Sequence, residues 1–457
     1  MSVFKSCDIR GLYGQELTPT FARDFGQTVG TALAGGRVVV GGDARPSTPI
    51  LKGALIEGLL AAGCYVLDAG LAPTSAMYFA RQWLKADGMV MVTASHNPPG
   101  YNGFKLMLGE WPITEEVLQA LRQQMQAGQF RQGNGYWDRA DVLEAYQADI
   151  ARFFPAGRPL KVVVDAGNGC FSRVAPAVLR SKGYQVLERF CEIDGRFPNR
   201  DPNPAVAAHL KGLAEQIVAE GADLGVAYDG DGDRAVFVDE TGHILPGDQA
   251  LVLFIRHRLP QAQTPAERKV VYDIKCSSVV ADEVKRWGGL PLMERSGHTF
   301  IKTRLLREQA GLGGEISGHL FFGELGRDDA LFATLLFLQI LSEAGQPLSA
   351  LTADIPYYPI TPDLRLPCSL EEREAILTEL PAAFAGHEIN TVDGVRVVFD
   401  GGWVLARASV TEPLITVRCE GNSEARLQEI QAEVSERAPT LGRILARQAA
   451  LKHHAGH

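Results

Sequence analysis

The sequence predicts an α/β protein, with three similar mixed α/β domains plus a smaller C-terminal α+β domain around a central cleft. Three observations lead to this prediction. At 457 residues the chain is too long for a single hydrophobic core. Three segments repeat one order of strand, helix and strand, and the last hundred or so residues follow a different, alternating pattern.

The repeated segments each begin with an apolar run that ends in an aspartate. These runs are RVVVGGD, KVVVD and KVVYD, which end at Asp43, Asp165 and Asp273. Each is followed by a polar turn and a helix-like segment, which stops at Gly63, Gly183 or the pair Gly288 and Gly289. A second short strand follows each glycine, and such short links predict a right-handed βαβ unit in each segment.

Each unit then has a further strand with an unusual loop at its carboxyl end. The loops are TASHNP after GMVMV, DGDGDR after ADLGVAY, and GEISGH after AGL. Open α/β sheets bind ligands outside the carboxyl ends of their strands. We therefore expect the three loops to face one cleft.

The chain from about Tyr357 onward predicts a smaller α+β domain. VRVVFDGGWVLARASVTEPLITVRCEG alternates like antiparallel strands, and SEARLQEIQAEVSERA has the pattern of an amphipathic helix. The most apolar run, ALFATLLFLQIL at 330–341, is too short to span a bilayer and predicts a buried helix. We place the domains at residues 1–154, 155–245, 246–356 and 357–457.

Composition and charge restrict the partners. The net charge of −9 disfavours nucleic acid or an anionic membrane, and it requires an anionic ligand to meet a local cluster of Lys and Arg. The start, MSVFKSCDIRG, has no apolar signal region, and the seven cysteines include no CxxC pair. We therefore expect reduced thiols and a cytoplasmic protein.

The DGDGDR loop is a candidate metal site. Asp229, Asp231 and Asp233 alternate with glycines, so a tight turn can direct three carboxylates to one point. Three carboxylates this close repel one another unless a cation neutralises them, and Mg²⁺ prefers oxygen ligands. An EF-hand is the alternative, but its sixth position requires glycine and is Arg234 here.

Ser95 of TASHNP has three interpretations. It is a helix cap or turn residue, a hydrolase nucleophile, or a phosphorylated serine that donates its phosphoryl group. The G-x-S-x-G pattern of a hydrolase is absent, because the neighbours are Ala94 and His96. Three acidic ligands leave positions on Mg²⁺ for a phosphoryl oxygen, and Lys105 is near in sequence to meet phosphoryl charge. These features favour the phosphoserine.

TASHNP, DGDGDR, GEISGH and RASVTEP together resemble the α-D-phosphohexomutase family, in family order and through essentially the whole chain. The likeness is closest to the bacterial members that act on mannose and glucose phosphates. It implies that Ser95 is phosphorylated in the resting enzyme and that Mg²⁺ is held by this group with Asp229, Asp231 and Asp233. The phosphoryl group then passes to a hexose 1- or 6-phosphate, giving a hexose 1,6-bisphosphate that also activates the enzyme by recharging an emptied serine.

The resemblance also implies roles for other residues. Glu315 and Ser317 bind the 3- and 4-hydroxyls of the sugar, which glucose and mannose share. The residues implied in acid–base work are Arg10, Lys105 and His319. Those implied in substrate contact are Arg234, Lys275 and His298, with Arg407, Ser409 and Thr411 for the non-reacting phosphate.

Simpler interpretations remain for several of these residues. His319 is alternatively a structural hydrogen-bond partner, Glu315 a surface carboxylate, and RASVTEP an ordinary hairpin turn. Two features depart from the family pattern: Cys7 stands where a tyrosine is common, and Glu412 adds a carboxylate beside the expected anion site.

Competing functions are a phosphoglucosamine mutase, a metal-dependent phosphatase and a non-catalytic sugar-phosphate binding protein. Phosphoglucosamine mutases usually carry glutamine where Ile316 stands. We expect small-molecule sugar phosphates as partners, no nucleic acid, no membrane, and a monomer or weak oligomer. The preferred epimer, the pathway served and the identity of the general acid or base are left open.

Overall fold

The computed structural model describes residues 3–408 and 413–455, and within these ranges the chain forms four sheets. Three sheets share one plan: three parallel strands with an antiparallel strand beside the third. The fourth sheet is antiparallel throughout. The predicted fold class is confirmed.

The first sheet has the strand order β1-β5-β4-β2-β3-β7, with β6 paired to β5. Its elements in chain order are β1 (Ile9–Leu12), α1 (Pro19–Ala32), β2 (Arg37–Gly42), α2 (Thr48–Ala61), β3 (Tyr65–Leu71), α3 (Thr74–Trp83), β4 (Gly88–Val92), β5 (Tyr101–Leu108), β6 (Trp111–Pro112), α4 (Glu115–Ala127), β7 (Tyr136–Arg139) and α5 (Leu143–Ala151).

The second sheet has the order β11-β10-β8-β9. Its elements are β8 (Lys161–Asp165), α6 (Val174–Ser181), β9 (Gln185–Arg189), α7 (Lys211–Glu220), β10 (Leu224–Tyr228) and β11 (Ala235–Asp239). Short 3₁₀ turns precede the two helices at Cys170–Ser172 and Ala207–Leu210.

The third sheet has the order β13-β12-β14-β15-β16. Its elements are α8 (Gly247–Arg258), β12 (Lys269–Asp273), α9 (Ser278–Arg286), β13 (Leu290–Glu294), α10 (His298–Glu308), β14 (Leu312–Gly314), β15 (Leu320–Phe322), β16 (Arg327–Asp328), α11 (Ala330–Ala344) and α12 (Leu348–Thr352). A 3₁₀ turn at Leu259–Gln261 follows α8.

The fourth sheet has the order β17-β21-β20-β19-β18. Its elements are β17 (Leu364–Pro367), α13 (Leu370–Ala383), β18 (Glu388–Asn390), β19 (Val395–Phe399), β20 (Gly402–Ala408), β21 (Leu414–Gly421), α14 (Glu424–Arg437) and α15 (Pro439–Ala455).

The three predicted βαβ units are present as β2-α2-β3, β8-α6-β9 and β12-α9-β13, each with parallel strands. The glycine after each helix has a left-handed backbone, with φ of 86° at Gly63, 88° at Gly183 and 70° at Gly288. A residue with a Cβ atom rarely adopts this conformation, so these glycines end the helices. The third parallel strands β4, β10 and β14 lead into the three loops singled out from the sequence.

The second and third units share one hydrophobic core around α11. This helix contains the apolar run 330–341, and its residues are buried on nearly every side, as that run predicts. The rings of Phe237 and Phe337 stack with centroids 4.2 Å apart, which joins β11 to α11. Tyr146 and Ile150 of α5 belong to the same cluster.

The fourth unit packs on the third through a small apolar cluster of Ile274, Trp403 and Leu405. Trp403 is fully buried, and its indole Nε1 donates to Glu420 Oε1 at 2.7 Å. The same carboxylate accepts from the backbone amide of Ser278 at the start of α9. None of the helices in the described ranges combines the length and the apolar character needed to cross a membrane.

Candidate active site

Ser95 lies in the loop after β4 and touches the acidic loop of the second unit. Its backbone has a φ of 50°, which is uncommon for a residue with a Cβ atom, and its amide donates to Thr93 Oγ1 at 2.8 Å. Ser95 Oγ donates to Asp229 Oδ2 at 2.7 Å, and both residues are fully buried. Two loops separated by 134 positions in the chain therefore meet at the predicted pair.

A buried arginine that the sequence analysis missed holds the Ser95 loop. Arg45 is fully buried, and its Nε lies 2.9 Å from Asp43 Oδ2. Its two terminal nitrogens donate to the backbone carbonyls of the loop, at 2.8 Å for Ser95, 2.6 Å for Asn97, 2.6 Å for Pro98 and 3.0 Å for Tyr101. The signal available in the sequence was an arginine two residues after the aspartate that ends β2.

The second unit uses the same device. Arg200 Nε lies 2.9 Å from Asp165 Oδ1 at the end of β8, and Arg200 Nη2 donates to the carbonyl of Tyr228 at 2.7 Å. Tyr228 immediately precedes Asp229. In both units a buried arginine joins the aspartate that ends the first strand to the backbone of the functional loop.

The DGDGDR loop wraps its own backbone around Asp229. Asp229 Oδ1 accepts from the amides of Gly232 at 3.0 Å, Asp233 at 3.1 Å and Arg234 at 3.2 Å. Gly232 has a φ of 74°, which allows this tight turn. Burial and the neighbouring Asp231 and Asp233 hold the pKa of Asp229 well above its ordinary value.

Lys105 reaches the acidic loop from β5. Its Nζ lies 2.7 Å from Asp231 Oδ2 and also contacts Asp233 Oδ2. Burial alone would lower the pKa of Lys105, but the carboxylates outweigh it and raise this pKa. Burial would raise the pKa of Asp231, and Lys105 with the Thr74 hydroxyl at 2.7 Å lowers it instead.

The three carboxylates fit a hard cation. One oxygen of each of Asp229, Asp231 and Asp233 lies within 4.8 Å of the others, and all three residues are buried. Asp231 Oδ1 and Asp233 Oδ1 have no hydrogen-bond partner in the part of the chain that the structure describes. Buried carboxylate oxygens without donors are costly, and a divalent ion with oxygen ligands would satisfy them.

His319 is buried between the acidic loop and the third sheet. Arg234 Nε donates to His319 Nε2 at 2.9 Å, and His319 Nδ1 lies 3.0 Å from Asp328 Oδ2. A guanidinium can only donate, so His319 Nε2 is the acceptor and the ring proton belongs on Nδ1, facing Asp328. The structural interpretation of His319 is therefore supported at both nitrogens, because the single lone pair of Nε2 already accepts from Arg234.

A cavity of about 310 Å³ reaches His96, the residue after Ser95, and is lined by five of the predicted residues. It is lined by Arg10, His96, Arg234, His298, Glu315 and His319, with the short segment from Lys5 to Asp8. Arg10 is fixed there by Asp8 Oδ2 at 2.8 Å and Asn97 Oδ1 at 2.9 Å. The cations in the lining of this cavity are Lys5, Arg10 and Arg234.

Glu315 is 5% exposed, so the interpretation of this residue as a surface carboxylate is wrong. Its Oε1 accepts from the amide of Gly297 at 3.2 Å, and its Oε2 accepts from Ser317 Oγ at 2.8 Å. Burial raises the pKa of Glu315. The pair predicted to bind sugar hydroxyls is therefore assembled at the wall of the cavity.

His298 and Cys7 complete the wall. The rings of His298 and His319 stack with centroids 5.4 Å apart, and neither nitrogen of His298 has a hydrogen-bond partner among residues 3–408 and 413–455. Burial and the nearby Lys105 hold the pKa of His298 well below its ordinary value. Burial raises the pKa of Cys7 to about 12, so this position presents a neutral thiol.

The predicted substrate contacts Lys275, Ser317 and Arg407 are not among the residues that line the cavity, and neither are Ser95, Lys105 and the three aspartates. Lys275 Nζ pairs with Asp363 Oδ2 at 3.1 Å, and Arg407 Nε pairs with Asp393 Oδ2 at 2.7 Å. Asp393 Oδ2 also accepts from the amide of Ser296, next to the cavity residue Gly297, at 3.2 Å. The predicted phosphate contacts Ser409 and Thr411 fall outside the described residues.

Comparisons with known proteins agree with this geometry. Four descriptions of phosphoglucomutase/phosphomannomutase match the chain: α/β/α domain I at residues 1–132, α/β/α domain II at 144–242, α/β/α domain III at 246–358 and the C-terminal domain at 368–437. The phosphomannomutase/phosphoglucomutase of Pseudomonas aeruginosa is 38% identical over 440 residues, which cover 94% of each chain.

Solved structures show the same likeness. A phosphoglucomutase/phosphomannomutase family protein from Burkholderia thailandensis superposes with a TM-score of 0.90 at 37% identity, covering 96% of this chain and 97% of that one. The fold also matches an Aspergillus fumigatus N-acetylphosphoglucosamine mutase in complex with GlcNAc-6P and magnesium, with a TM-score of 0.54 at 15% identity, over 89% and 82% of the chains. These matches confirm the resemblance drawn from the sequence: the chain belongs to the phosphoglucomutase/phosphomannomutase family of hexose phosphate mutases.

Proposed function

We propose that this enzyme interconverts hexose 1-phosphate and hexose 6-phosphate, of mannose, glucose or both, through a phosphoserine at Ser95 and a hexose 1,6-bisphosphate. The observation that carries the proposal is the 2.7 Å contact between Ser95 Oγ and Asp229 Oδ2. It places a hydroxyl from one unit against the carboxylates of another, at the edge of a cavity lined by arginines and histidines.

We propose Mg²⁺ as the cation, held by Asp229, Asp231, Asp233 and the phosphorylated Ser95. The unpartnered oxygens of Asp231 and Asp233 support this choice, because Mg²⁺ binds carboxylate oxygens. When bound, the ion would neutralise charge on the transferring phosphoryl group. Lys105, which already contacts Asp231 and Asp233, supplies a second positive charge at the same point.

His319 is our candidate for the group that receives the proton of the attacking sugar hydroxyl. In the first half-reaction the bond between phosphorus and Ser95 Oγ breaks, and its electron pair stays on Oγ, which takes up a proton. A bond forms between phosphorus and the sugar oxygen, and the sugar hydroxyl loses its proton. To accept this proton at Nε2, His319 would first lose the hydrogen bond from Arg234 Nε, and Asp328 at Nδ1 would stabilise the imidazolium that forms. Arg10 and Arg234 line the same cavity and would bind the phosphate.

Glu315 and Ser317 would bind the 3- and 4-hydroxyls of the sugar, and Lys275, His298, Arg407, Ser409 and Thr411 would complete the substrate contacts. Since glucose and mannose differ only at C2, a site that holds O3 and O4 accepts both epimers. Ile316 lies between Glu315 and Ser317, where a phosphoglucosamine mutase usually has glutamine, and this apolar residue favours the hexose phosphates.

We also propose domains at residues 1–154, 155–245, 246–356 and 357–457, and a cytoplasmic location. The four separate sheets support these divisions, with α5 packed at the first junction. All seven cysteines lie in the described ranges and none forms a disulfide, which fits a reducing compartment. We propose a monomer or weak oligomer that binds sugar phosphates and neither nucleic acid nor membrane.

A coupled assay of the purified protein tests the proposed function. Glucose 1-phosphate, mannose 1-phosphate and glucosamine 1-phosphate are compared side by side, with Mg²⁺ and a trace of glucose 1,6-bisphosphate. We expect turnover of at least one of the two hexose phosphates, activation by the bisphosphate and loss of rate with a chelator. Preference for glucosamine 1-phosphate, or release of inorganic phosphate in place of isomerisation, would contradict the proposal.

A further inference from the structure

A second cavity lies away from Ser95, between the first and third units. It has a volume of about 820 Å³, within the range of small-molecule sites. One side is formed by α3 and the turn between β5 and β6, and the other by α10 and the loop that leads into β16. No part of the proposed catalytic cycle uses this cavity, which we call the rear cavity.

Cations predominate among the described residues that line the rear cavity. They are Arg81, Lys85, Lys302 and Arg327, against the carboxylates of Asp87 and Glu110. Asp87 Oδ2 is already engaged by the backbone amide of Arg37 at 2.8 Å. The lining of the rear cavity therefore contains four cations and two carboxylates, in a chain whose net charge is −9.

Arg81 is the residue that most clearly lacks a partner. It is 8% exposed, and its Nε is buried without a hydrogen-bond acceptor in the described structure. Burial lowers the pKa of Arg81, and Glu110 only partly opposes this effect. Arg81 lines the cavity and forms no ion pair in the described structure, so an anion in the cavity would balance its largely buried charge.

The other three cations of the rear cavity differ in whether a carboxylate of the protein already lies near their charge. Lys302 Nζ pairs with Asp328 Oδ1 at 3.0 Å and lies over the ring of Tyr78, so its charge is already engaged. Arg327 is 3% exposed, and its Nε and Nη2 have carboxylates at 3.5 Å and 3.8 Å but no hydrogen bond. Lys85 is exposed at the mouth. Arg81 and Lys85 are thus the cations available to a ligand.

The remaining walls are apolar and partly aromatic. Met107 of the first unit and Leu306 of the third line the cavity, together with Trp111, which is 50% exposed. A flat ring would gain both apolar burial and aromatic stacking there. Inorganic phosphate alone would leave this surface unused.

We propose that the rear cavity binds a small organic phosphate that carries an aromatic ring, of the size of a nucleoside monophosphate. The phosphate would accept hydrogen bonds from Arg81 and Lys85, and the ring would pack against Trp111 and Met107. The site is separate from the active-site cavity, and its existence does not depend on the proposed catalytic function.

Isothermal titration calorimetry on the full-length chain tests this site with AMP, GMP, CMP and UMP as probes. The Ser95→Ala variant serves as a background in which turnover is absent, with saturating glucose 1-phosphate present throughout to fill the active site. We expect saturable binding of at least one nucleotide with a stoichiometry of one, tighter than that of inorganic phosphate.

Two charge variants and a matched control locate the binding. Arg81→Met and Lys85→Glu should each weaken binding about tenfold or more, since each removes a charged contact to the phosphate. Exposed Arg23→Met on α1, outside the rear cavity, should leave binding unchanged. Lys85 is exposed, so its variant remains informative if Arg81→Met does not fold, and the mutase rate of both should equal that of the wild type.

Three outcomes would overturn the proposal. They are the absence of saturable binding for all four nucleotides, competition between nucleotide and glucose 1-phosphate, and unchanged affinity in both charge variants. A protein that binds nucleotide as expected but has no mutase activity would refute the proposed function and leave the rear site intact.

Discussion

Buried arginines hold the backbone on both sides of the contact between Ser95 and Asp229. Arg45 binds four carbonyls of the serine loop, and Arg200 binds the carbonyl that precedes Asp229. Ser95 has a positive φ, so its loop needs such support to stay in this conformation. We infer that the positions of these loops depend on the fork geometry of arginine, which lysine does not reproduce.

Arg45→Lys tests this inference. We expect kcat to fall roughly 10²-fold with KM nearly unchanged, because the serine shifts while the substrate contacts remain. Arg45→Met should in addition lose about 3–5 kcal/mol of the free energy of unfolding, since Asp43 is left buried without its partner. Steady-state kinetics and urea denaturation measure the two effects.

Exposed Arg37→Lys is the matched control for Arg45→Lys and should leave both kinetic constants unchanged. Normal kcat in Arg45→Lys, with a loss of stability alone, would show that Arg45 supports the fold without positioning the serine.

His298 provides a prediction about pH. Its pKa is held well below the ordinary value in the folded protein, mainly by burial, so the folded state does not take up its proton near pH 6. The unfolded chain does so below about pH 6.5. The unfolded state therefore binds more protons, and the free energy of unfolding should fall on acidification by about 1.4 kcal/mol per pH unit from this residue.

Urea denaturation across this pH range measures the slope, and His298→Gln should reduce it by that amount. His209, which lies outside the cavity and has Asp201 at 3.8 Å, gives a matched His209→Gln control. An unchanged slope in His298→Gln would contradict a neutral buried His298.

The sequence indicated the functional side chains of this site more readily than the residues that hold them in place. Ser95, the three aspartates and Glu315 were singled out in compact loops that follow strands. Arg10 and Lys105 lie within β1 and β5, and they and His319 were singled out for acid–base work through the family resemblance. The partners of these residues are distant in the chain, as Arg200 is from Asp165 and Thr74 from Asp231, and no local pattern connects them. Arg45 was overlooked because the sequence does not distinguish a buried arginine that binds backbone carbonyls from any other arginine in a turn.

At the scale of elements, α1 and α2 approach each other closely because both present glycine at the contact. A Cβ atom on Gly58 would lie 2.0 Å from the carbonyl oxygen of Arg23, and one on Gly26 would lie 2.2 Å from that of Leu55. Both distances are far shorter than a van der Waals contact, and the atoms approached belong to the helix backbone, which cannot move aside as a side chain can. The helix pair covers one face of the first sheet, from which Ser95 extends.

Gly58→Ala should therefore lower the free energy of unfolding by about 1–3 kcal/mol, because the helices must separate to admit the methyl group. Gly53 in the same helix has open space around its Cβ position, and Gly53→Ala should raise stability by about 0.5–1 kcal/mol. Thermal and urea denaturation of the pair measure the difference. Equal effects of the two substitutions would contradict close packing at Gly58.

The elements themselves were largely predictable. Alternating aspartate-ended strands and glycine-ended helices identified the three βαβ units, and the apolar run at 330–341 identified α11. The pattern did not reveal that α11 serves the cores of two units at once. The hydrophobic pattern of an element indicates which of its sides are buried, but it does not identify the other elements that pack against those sides.

At the scale of the whole molecule, the fourth unit packs against the third. The contacts include the Ile274, Trp403 and Leu405 cluster and the pair of Lys275 with Asp363. Arg407 of the fourth unit pairs with Asp393 and does not line the active-site cavity. For Arg407 to reach a substrate phosphate, the fourth unit has to move toward the serine and metal loops.

Small-angle X-ray scattering tests this movement. We expect the radius of gyration of Ser95→Ala to decrease when saturating glucose 1,6-bisphosphate is added, as the fourth unit closes over the ligand. Adding inorganic sulfate at the same ionic strength is the control and should change it less. An unchanged radius, with calorimetry showing a saturated site, would contradict closure.

Phosphoryl transfer through Ser95 is the claim on which the account of this molecule depends most. Intact-protein mass spectrometry with peptide mapping measures it, after incubation of the dephosphorylated protein with glucose 1,6-bisphosphate and Mg²⁺. We predict a mass gain of one phosphoryl group, located on Ser95 and absent in Ser95→Ala. A protein that turns over glucose 1-phosphate but never carries phosphate on Ser95, or that retains its rate in Ser95→Ala, would contradict the account.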